Sequence, residues 1–220
     1  AEIQRRNIVQ LGGELALLIS RDPDYAGKVT RELLYETGRE VELKPGVPDL
    51  FKILSQGVDD CEFSTYILSA APRECIEKAV EAFFPSENIF GTTFIYKDNV
   101  VQDVERTNAG HAKVSTLDML KMKENVTRYA IVYVGDGSSD VHVMLHVRSY
   151  NGYTITVSPA PYMGHICRRS VISDNVLSIL VPVLVDLLKY EQGEVRKFFE
   201  ERGHMILEWN RADTEWLEIS

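Results

Sequence analysis

Residues 132–140 read VYVGDGSSD, an apolar run followed by a loop in which two aspartates flank small residues. The apolar run predicts a strand that is buried on both faces, and the glycines beside Asp136 allow a sharp turn where the strand ends. Asp136 would then project into the crevice beyond the sheet, with Asp140 at the start of a helix. Two carboxylates with hydroxyl groups between them suit a hard cation such as Mg²⁺. The alternative is a plain turn in which Asp140 caps the helix.

The sequence around this loop alternates strands with helices. Strands are predicted over 63–68, 129–134, 154–157 and 205–209, with a hairpin over 92–104. Helices are predicted over 49–56, 73–84, 115–122, 141–147, 174–190 and 194–201, and residues 1–43 also have a helical pattern. This alternation is typical of an α/β fold with a doubly wound, Rossmann-like parallel sheet, which binds ligands at the carboxyl ends of its strands.

The composition is that of a globular protein, with 220 residues, 45% hydrophobic residues and a formal net charge of −9. The acidic balance disfavours binding to nucleic acid or to an anionic membrane surface, and no apolar run is long enough to span a bilayer. Three cysteines without a paired spacing indicate reduced thiols. We therefore expect a cytoplasmic protein, and the sequence leaves its oligomeric state open.

Two further segments place polar residues near predicted helix starts. Ser69 and Ala70 follow the strand predicted over 63–68, and the free N–H groups of the next helix could bind a phosphate there. Lys113 precedes another helix and could hold a phosphate as a point charge. The alternatives are a serine that only caps its helix and a lysine that is solvated on the surface.

In order and spacing, these residues resemble the haloacid dehalogenase superfamily of phosphohydrolases. Ser69 matches the position of its second motif, Lys113 that of its third, and residues 135–140, GDGSSD, its fourth. Residues 44–47 resemble the entry into the superfamily's second strand. The hairpin over 92–104 is similar to the phosphoserine-phosphatase-like branch, and the resemblance covers roughly residues 44–180.

The resemblance implies a Mg²⁺-dependent phosphomonoester hydrolase that acts on a small phosphorylated metabolite through a phosphoaspartyl intermediate. It implies that Asp136 binds the metal, with Asp140 as a supporting carboxylate. Ser69, Ala70 and Lys113 would hold the phosphoryl oxygens. A small helical cap would close over the site.

The superfamily's first motif, a buried strand that ends in Asp-x-Asp, has no clear copy before residue 44. The one Asp-x-Asp there is formed by Asp22 and Asp24, which are candidates for the nucleophile and the acid–base group. The alternative is that Asp22 caps a helix whose first residue is Pro23. A degraded, permuted site at the end of the strand predicted over 205–209 is a further interpretation.

A core without its first strand would expose two unpaired strand edges, which is costly. We therefore expect that a segment before Ala1 carries this strand and both aspartates. Residues 1–43 would be the cap and residues 44–220 the core. A strand from within 1–220 in the central position would exclude this hypothesis.

Two interpretations from other classes remain. One is a non-catalytic domain of the same fold that binds a phosphorylated ligand or a protein partner. The other is a plain α/β domain in which residues 135–140 form only a turn. His142 and His146 also have a spacing that can bind zinc, although the sequence completes no ligand set around them.

Overall fold

The computed structural model describes residues 13–127 and 130–210. The chain divides into two units, Ala1–Ile179 and Leu180–Ser220. The first unit contains the two sheets and all of the residues that we propose for the site. In the second unit a short helical segment, Leu180–Pro182, continues into a π-helical turn, Val183–Leu187, and a helix follows at Gln192–Glu200.

The first unit contains two three-stranded sheets. In one, β1 (Ile67–Pro72) pairs in parallel with β2 (Ile89–Lys97), which pairs in antiparallel with β3 (Val100–Arg106). In the other, β4 (Val132–Gly135), β5 (Tyr153–Thr156) and β6 (Arg169–Ser170) are parallel in that order. The predicted α/β class with a parallel sheet is confirmed.

Seven α-helices are described in the first unit. They are α1 (Glu14–Arg21), α2 (Arg31–Arg39), α3 (Val47–Gln56), α4 (Arg73–Val80), α5 (His111–Glu124), α6 (Val141–Ser149) and α7 (Pro161–Ile166). Short 3-10 turns occur at Ser86–Asn88, Ser138–Asp140 and Val176–Ile179. The longest, α5, has 14 residues. No helix in the described ranges is long and apolar enough to cross a membrane.

An edge of one sheet, β1, lies across a gap from an edge of the other, β4, and no strand pairing among the described residues joins the two sheets. Tyr153 donates to the carbonyl of Ile131, and Val157 donates to that of Gly135, so every second residue of β4 is turned towards β5. In a parallel ladder the intervening residues, Val132 and Val134, then direct their N–H and C=O groups to the opposite edge. That edge and β1 line one pocket. Within 13–127 and 130–210, no strand lies between β1 and β4.

Two of the apolar clusters pack helices against the sheets. Helices α1 and α2 pack on the β2–β3 hairpin through a cluster that includes Ala16, Leu34 and Val101. The β4 sheet packs on α6 and α7 through a second cluster centred on Met144 and Met163, neither of which is exposed to solvent. The buried residues of α6, Val143, Met144 and Val147, therefore face the sheet, which fixes the loop in front of this helix.

The hairpin predicted over 92–104 is confirmed by the antiparallel pairing of β2 with β3. Asp98 and Asn99 link β2 to β3, and both have positive φ angles, 49° and 68°. Two consecutive residues of this kind form the turn that matches the twist of a two-stranded ribbon.

Several predicted boundaries were wrong. Asp22 does not cap a helix beginning at Pro23; it ends α1, and the next helix begins at Arg31 with Thr30 as its N-cap, whose Oγ1 accepts the Leu33 N–H at 3.1 Å. Residues 205–209 form no strand, and the segment 174–190 is divided into 3-10, α and π turns around Pro182. The part of the N-terminal helical prediction over 1–12 lies outside the described residues.

Candidate active site

A cavity of about 320 Å³ opens between the carboxyl ends of β1 and β4. The five residues proposed from motifs two to four all line it, although the motifs are spread over more than 70 positions. These residues are Ser69, Ala70, Lys113, Asp136 and Asp140. Their convergence follows from the parallel strands, because the carboxyl ends of such strands meet at one edge of a sheet.

Asp140 is buried, and both of its carboxylate oxygens accept hydrogen bonds. Oδ1 accepts from Lys113 Nζ and from the Tyr133 hydroxyl, both at 2.6 Å. Oδ2 accepts from the backbone N–H groups of Asp136 and Gly137 at 3.2 and 3.4 Å. These four bonds occupy about all of the lone-pair positions of a carboxylate. Asp140 therefore orders the loop and the lysine around it.

Tyr133 contributes a hydroxyl that the sequence analysis did not single out. Burial, and then the charge of Asp140, raise the pKa of the Tyr133 hydroxyl far above its ordinary value. The hydroxyl therefore stays protonated and donates to Asp140. A sequence signal was present, since this tyrosine is the one polar group in the strand before the loop.

Lys113 is only 4% exposed, so the interpretation of a solvated surface lysine is wrong. Its ammonium group contacts Asp140 Oδ1 at 2.6 Å and Ser139 Oγ at 3.4 Å. The start of α5 is fixed to the same loop, because the Gly110 N–H donates to the Ser139 carbonyl at 3.2 Å. Gly110 has φ 51° and ψ −121°, a conformation that favours glycine.

The two glycines of the loop act differently from what the sequence suggested, since neither has a positive φ. A Cβ at Gly135 would lie 2.7 Å from both Cβ and Cγ of Asp140, whereas a Cβ at Gly137 would meet nothing within 4 Å. Gly135 is therefore needed for the close approach of Asp140 to the strand. Asp136 is exposed at the rim of the cavity.

Ser69 lies inside β1 and not after it, because the strand begins at Ile67, later than predicted. The pairing with β2 is irregular between Leu68 and Pro72, so Ser69 and Ala70 lie where the strand departs from regular register. Ser69 Oγ accepts the Ala71 N–H at 3.2 Å. Helix α4 begins only at Arg73, so its N-terminus is separated from Ser69 by three residues.

The site contains carboxylate oxygens, which suit a hard cation, but few of them are available as ligands. Asp136 offers an exposed carboxylate, whereas the oxygens of Asp140 are already hydrogen-bonded. No group of three or more His, Cys, Asp or Glu residues in the described ranges could hold a metal ion. A magnesium ion here would thus take Asp136 as one ligand and need further oxygens, which hard cations prefer.

The other candidates lie outside this cavity. Asp22 and Asp24 form a turn after α1, in which Asp22 Oδ1 accepts the Asp24 N–H at 2.9 Å. His146 Nε2 is 3.1 Å from Asp118 Oδ1. His142 is exposed, with its ring centroid 4.0 Å from that of His111. None of these four predicted residues lines the cavity.

The proposed permuted site is also unsupported. Glu208 and Asn210 lie in an irregular segment of the second unit and hydrogen-bond to each other at 2.5 Å. The interpretation required a strand that delivers these groups to a sheet end, and none forms over these residues.

Comparison with known proteins agrees with this architecture. The family model described as haloacid dehalogenase-like hydrolase matches residues 17–145, more than half of the chain. The chain therefore belongs to the haloacid dehalogenase-like hydrolase family. A comparison with curated protein sequences gives no significant match.

Solved structures share the fold at low sequence identity. A substrate-bound phosphoserine phosphatase complex aligns with a TM-score of 0.57 at 17% identity, over 79% of this chain and 76% of that chain. A phospho-aspartyl intermediate analogue of phosphoserine phosphatase gives 0.56 at 17%, over 78% and 75%. A phosphoserine phosphohydrolase-like protein from Francisella tularensis subsp. tularensis SCHU S4 gives 0.53 at 19%, over 81% and 86%. The predicted resemblance to the family and to the fold of this branch is confirmed.

Proposed function

We propose that the protein is a Mg²⁺-dependent phosphomonoester hydrolase whose site is the cavity between β1 and β4. The observation that carries the proposal is the buried Lys113–Asp140 pair beside the exposed Asp136 carboxylate. A buried, ordered cation next to an accessible carboxylate suits a phosphoryl group, because phosphoryl transfer depends mainly on positioning and charge stabilisation.

Each residue of the cavity has a role in this proposal. The lysine ammonium has three N–H groups, of which Asp140 and Ser139 engage two in the described part of the chain, so the third can donate to a phosphoryl oxygen. Ser69 accepts the Ala71 N–H, which leaves its own hydroxyl proton for the same purpose. The Ala70 backbone N–H is the third proposed donor. Magnesium, with Asp136 as a ligand, would neutralise charge on the phosphoryl oxygens.

The nucleophile is proposed to come from outside the described residues. The edges of β1 and β4 face one cavity, and an extended segment between them would pair with both. An aspartate at its carboxyl end would reach the Lys113 side of the cavity. Its carboxylate would attack phosphorus, the bond to the leaving oxygen would break, and that oxygen would take a proton from a second carboxyl. Water would then cleave the acyl phosphate.

The division of the chain is likewise a proposal. We assign the cap to residues 1–43 and the core to residues 44–220. Helices α1 and α2 pack on the β2–β3 hairpin and line no part of the cavity, so their packing does not support a cap that closes over it. The free states of Cys61, Cys75 and Cys167 support a reducing compartment, and we propose the cytoplasm.

The substrate is proposed to be a small phosphorylated metabolite. The cavity volume of about 320 Å³ is at the low end for small-molecule sites. Phosphoserine is the first compound to test, because the fold is shared with a substrate-bound phosphoserine phosphatase.

A second function is favoured by one observation. Asp22 and Asp24 form the Asp-x-Asp found before residue 44, and they lie in a turn outside the cavity. A protein that keeps Lys113, Asp136 and Ser69 without a nucleophile would bind a phosphorylated ligand and not hydrolyse it.

Phosphate release from phosphoserine, a sugar phosphate and p-nitrophenyl phosphate separates the two functions. A hydrolase releases phosphate from at least one of them with Mg²⁺ and stops when EDTA is added. The binding domain releases none, and calorimetry with inorganic phosphate then detects binding that Lys113→Met abolishes. Failure of both assays would refute the phosphate site itself.

A further inference from the structure

The link between β3 and α5 is buried throughout, from Thr107 to Gly110. A buried loop has to pair its polar groups internally, and Asn108, only 1% exposed, makes much of that pairing. Its Nδ2 donates to the Phe90 carbonyl at 2.5 Å, and its backbone N–H donates to Thr92 Oγ1 at 3.4 Å. Asn108 therefore ties the link to β2.

The same asparagine is bonded to α5. The Thr116 hydroxyl donates to Asn108 Oδ1 at 2.9 Å, the shorter of its two possible bonds, since the Ala112 carbonyl lies at 3.1 Å. It accepts from the Arg106 guanidinium at 2.8 Å. Thr116 is completely buried and follows Lys113 by three residues, just under one helical turn. Asn108 is thus hydrogen-bonded to the turn of α5 that carries Lys113.

The other end of the network reaches β1. The Thr92 hydroxyl donates to the Ala70 carbonyl at 2.7 Å, and Ala70 lines the cavity. In the described part of the chain β1 pairs with β2 alone, and irregularly from Leu68 to Pro72. The Thr92 hydroxyl is therefore one of the contacts that fix this irregular end.

We propose that Thr92, Asn108 and Thr116 are positioning residues that set the spacing between the Ala70 end of β1 and Lys113. The significance of that spacing rests on the proposed function, since a phosphoryl group would take donors from both elements. Donors from separate elements act together only when a supporting layer holds them in place. Thr92, Asn108 and Thr116 do not line the cavity themselves. They act on it only through Ala70 and through α5, which carries Lys113.

Threonine-to-valine substitutions test the network, because they remove a hydroxyl at nearly constant volume. Thr92→Val and Thr116→Val break it at its two ends, and Thr92→Ser and Thr116→Ser restore the hydroxyls. Thr154→Val is the matched control. Thr154 lies on β5, away from α5, and it is also completely buried. Its Oγ1 accepts the Arg168 N–H at 2.9 Å.

The readout is acylation of the Lys113 amine, followed by mass spectrometry of peptides, with the half-exposed Lys123 as an internal standard. Acylation of Lys113 should be slow in the wild type and about tenfold faster in Thr92→Val and Thr116→Val. The serine variants and Thr154→Val should have the wild-type rate of Lys113 acylation. This should hold even where Thr154→Val lowers the melting temperature as much as Thr92→Val and Thr116→Val do. Equal Lys113 rates in all three valine variants would overturn the proposal.

A second arm adds inorganic phosphate and keeps the two claims separate. Phosphate should slow acylation of Lys113 in the wild type, and Thr92→Val and Thr116→Val should lose this protection. If phosphate does not protect wild-type Lys113, the proposed phosphate site is refuted. The comparison of acylation rates without phosphate still decides the role of the network.

Discussion

The buried Lys113–Asp140 pair gives an asymmetric prediction for stability. Lys113→Met leaves the Asp140 carboxylate with three donors, namely the Tyr133 hydroxyl and the N–H groups of Asp136 and Gly137. Asp140→Ala leaves the Lys113 ammonium with Ser139 Oγ at 3.4 Å. Breaking a buried pair costs about 3–5 kcal/mol. We place Lys113→Met near the lower value and Asp140→Ala near the upper one, because the unpaired ammonium keeps fewer partners.

Urea unfolding followed by circular dichroism measures the difference. With a slope of about 2 kcal/mol/M, a loss of about 3 kcal/mol lowers the midpoint by about 1.5 M. Lys121→Met is the control on the same helix. Its pair with Asp118 is 3.4 Å long and partly exposed, so it should cost less than about 1 kcal/mol. The reasoning is refuted if Lys113→Met costs no more than Lys121→Met, or if Asp140→Ala is the milder of the two pair variants.

Three further predictions concern the loop, a surface carboxylate and the thiols. Gly135→Ala should lower the free energy of unfolding by about 1–3 kcal/mol, since its Cβ would collide with Asp140, whereas Gly137→Ala should change it by less than about 0.5 kcal/mol; equal losses in urea would contradict this. Hydrogen bonds from Tyr66 and then Ser64 hold the pKa of Glu124 below its ordinary value. Their stabilising effect is fully present above the pKa that Glu124 has in the unfolded chain, and it is lost as the pH falls through the lower pKa of the folded protein. Tyr66→Phe should raise that pKa in an NMR titration, and an unchanged value would argue against the bond. Burial, and then Glu74, raise the pKa of Cys75 to about 11, so iodoacetamide at neutral pH should modify exposed Cys61 well before Cys75; equal rates would show that Cys75 is accessible.

The site was more predictable from the sequence than the elements that surround it. Residues 135–140 have a local spacing that is nearly independent of tertiary packing, so a strand end with Asp136 beside it could be recognised. The convergence of Lys113 on the same loop was implied by the family resemblance, in which Lys113 matches the third motif.

Burial was the quantity that the sequence could not supply. From the sequence alone, Lys113 is also compatible with an exposed position on a helix. Only the structure shows that it is buried and paired with Asp140. The network from Thr92 to Thr116 joins residues 24 positions apart through hydroxyl bonds, which have no periodic signature. The strand predicted over 205–209 was wrong because alternating apolar residues need a neighbouring strand, and Met205 and Leu207 remain 73% and 88% exposed.

We propose that Asp136 and Lys113 define a magnesium-dependent phosphohydrolase site. The most direct test measures phosphate release from phosphoserine and p-nitrophenyl phosphate at increasing Mg²⁺ by the wild type, Asp136→Asn and the exposed control Asp60→Asn. We predict that the wild type and Asp60→Asn depend on Mg²⁺ alike. Asp136→Asn should lose about 10²-fold or more in rate with no change in melting temperature. Equal Mg²⁺-dependent rates for Asp136→Asn and the wild type would contradict the account.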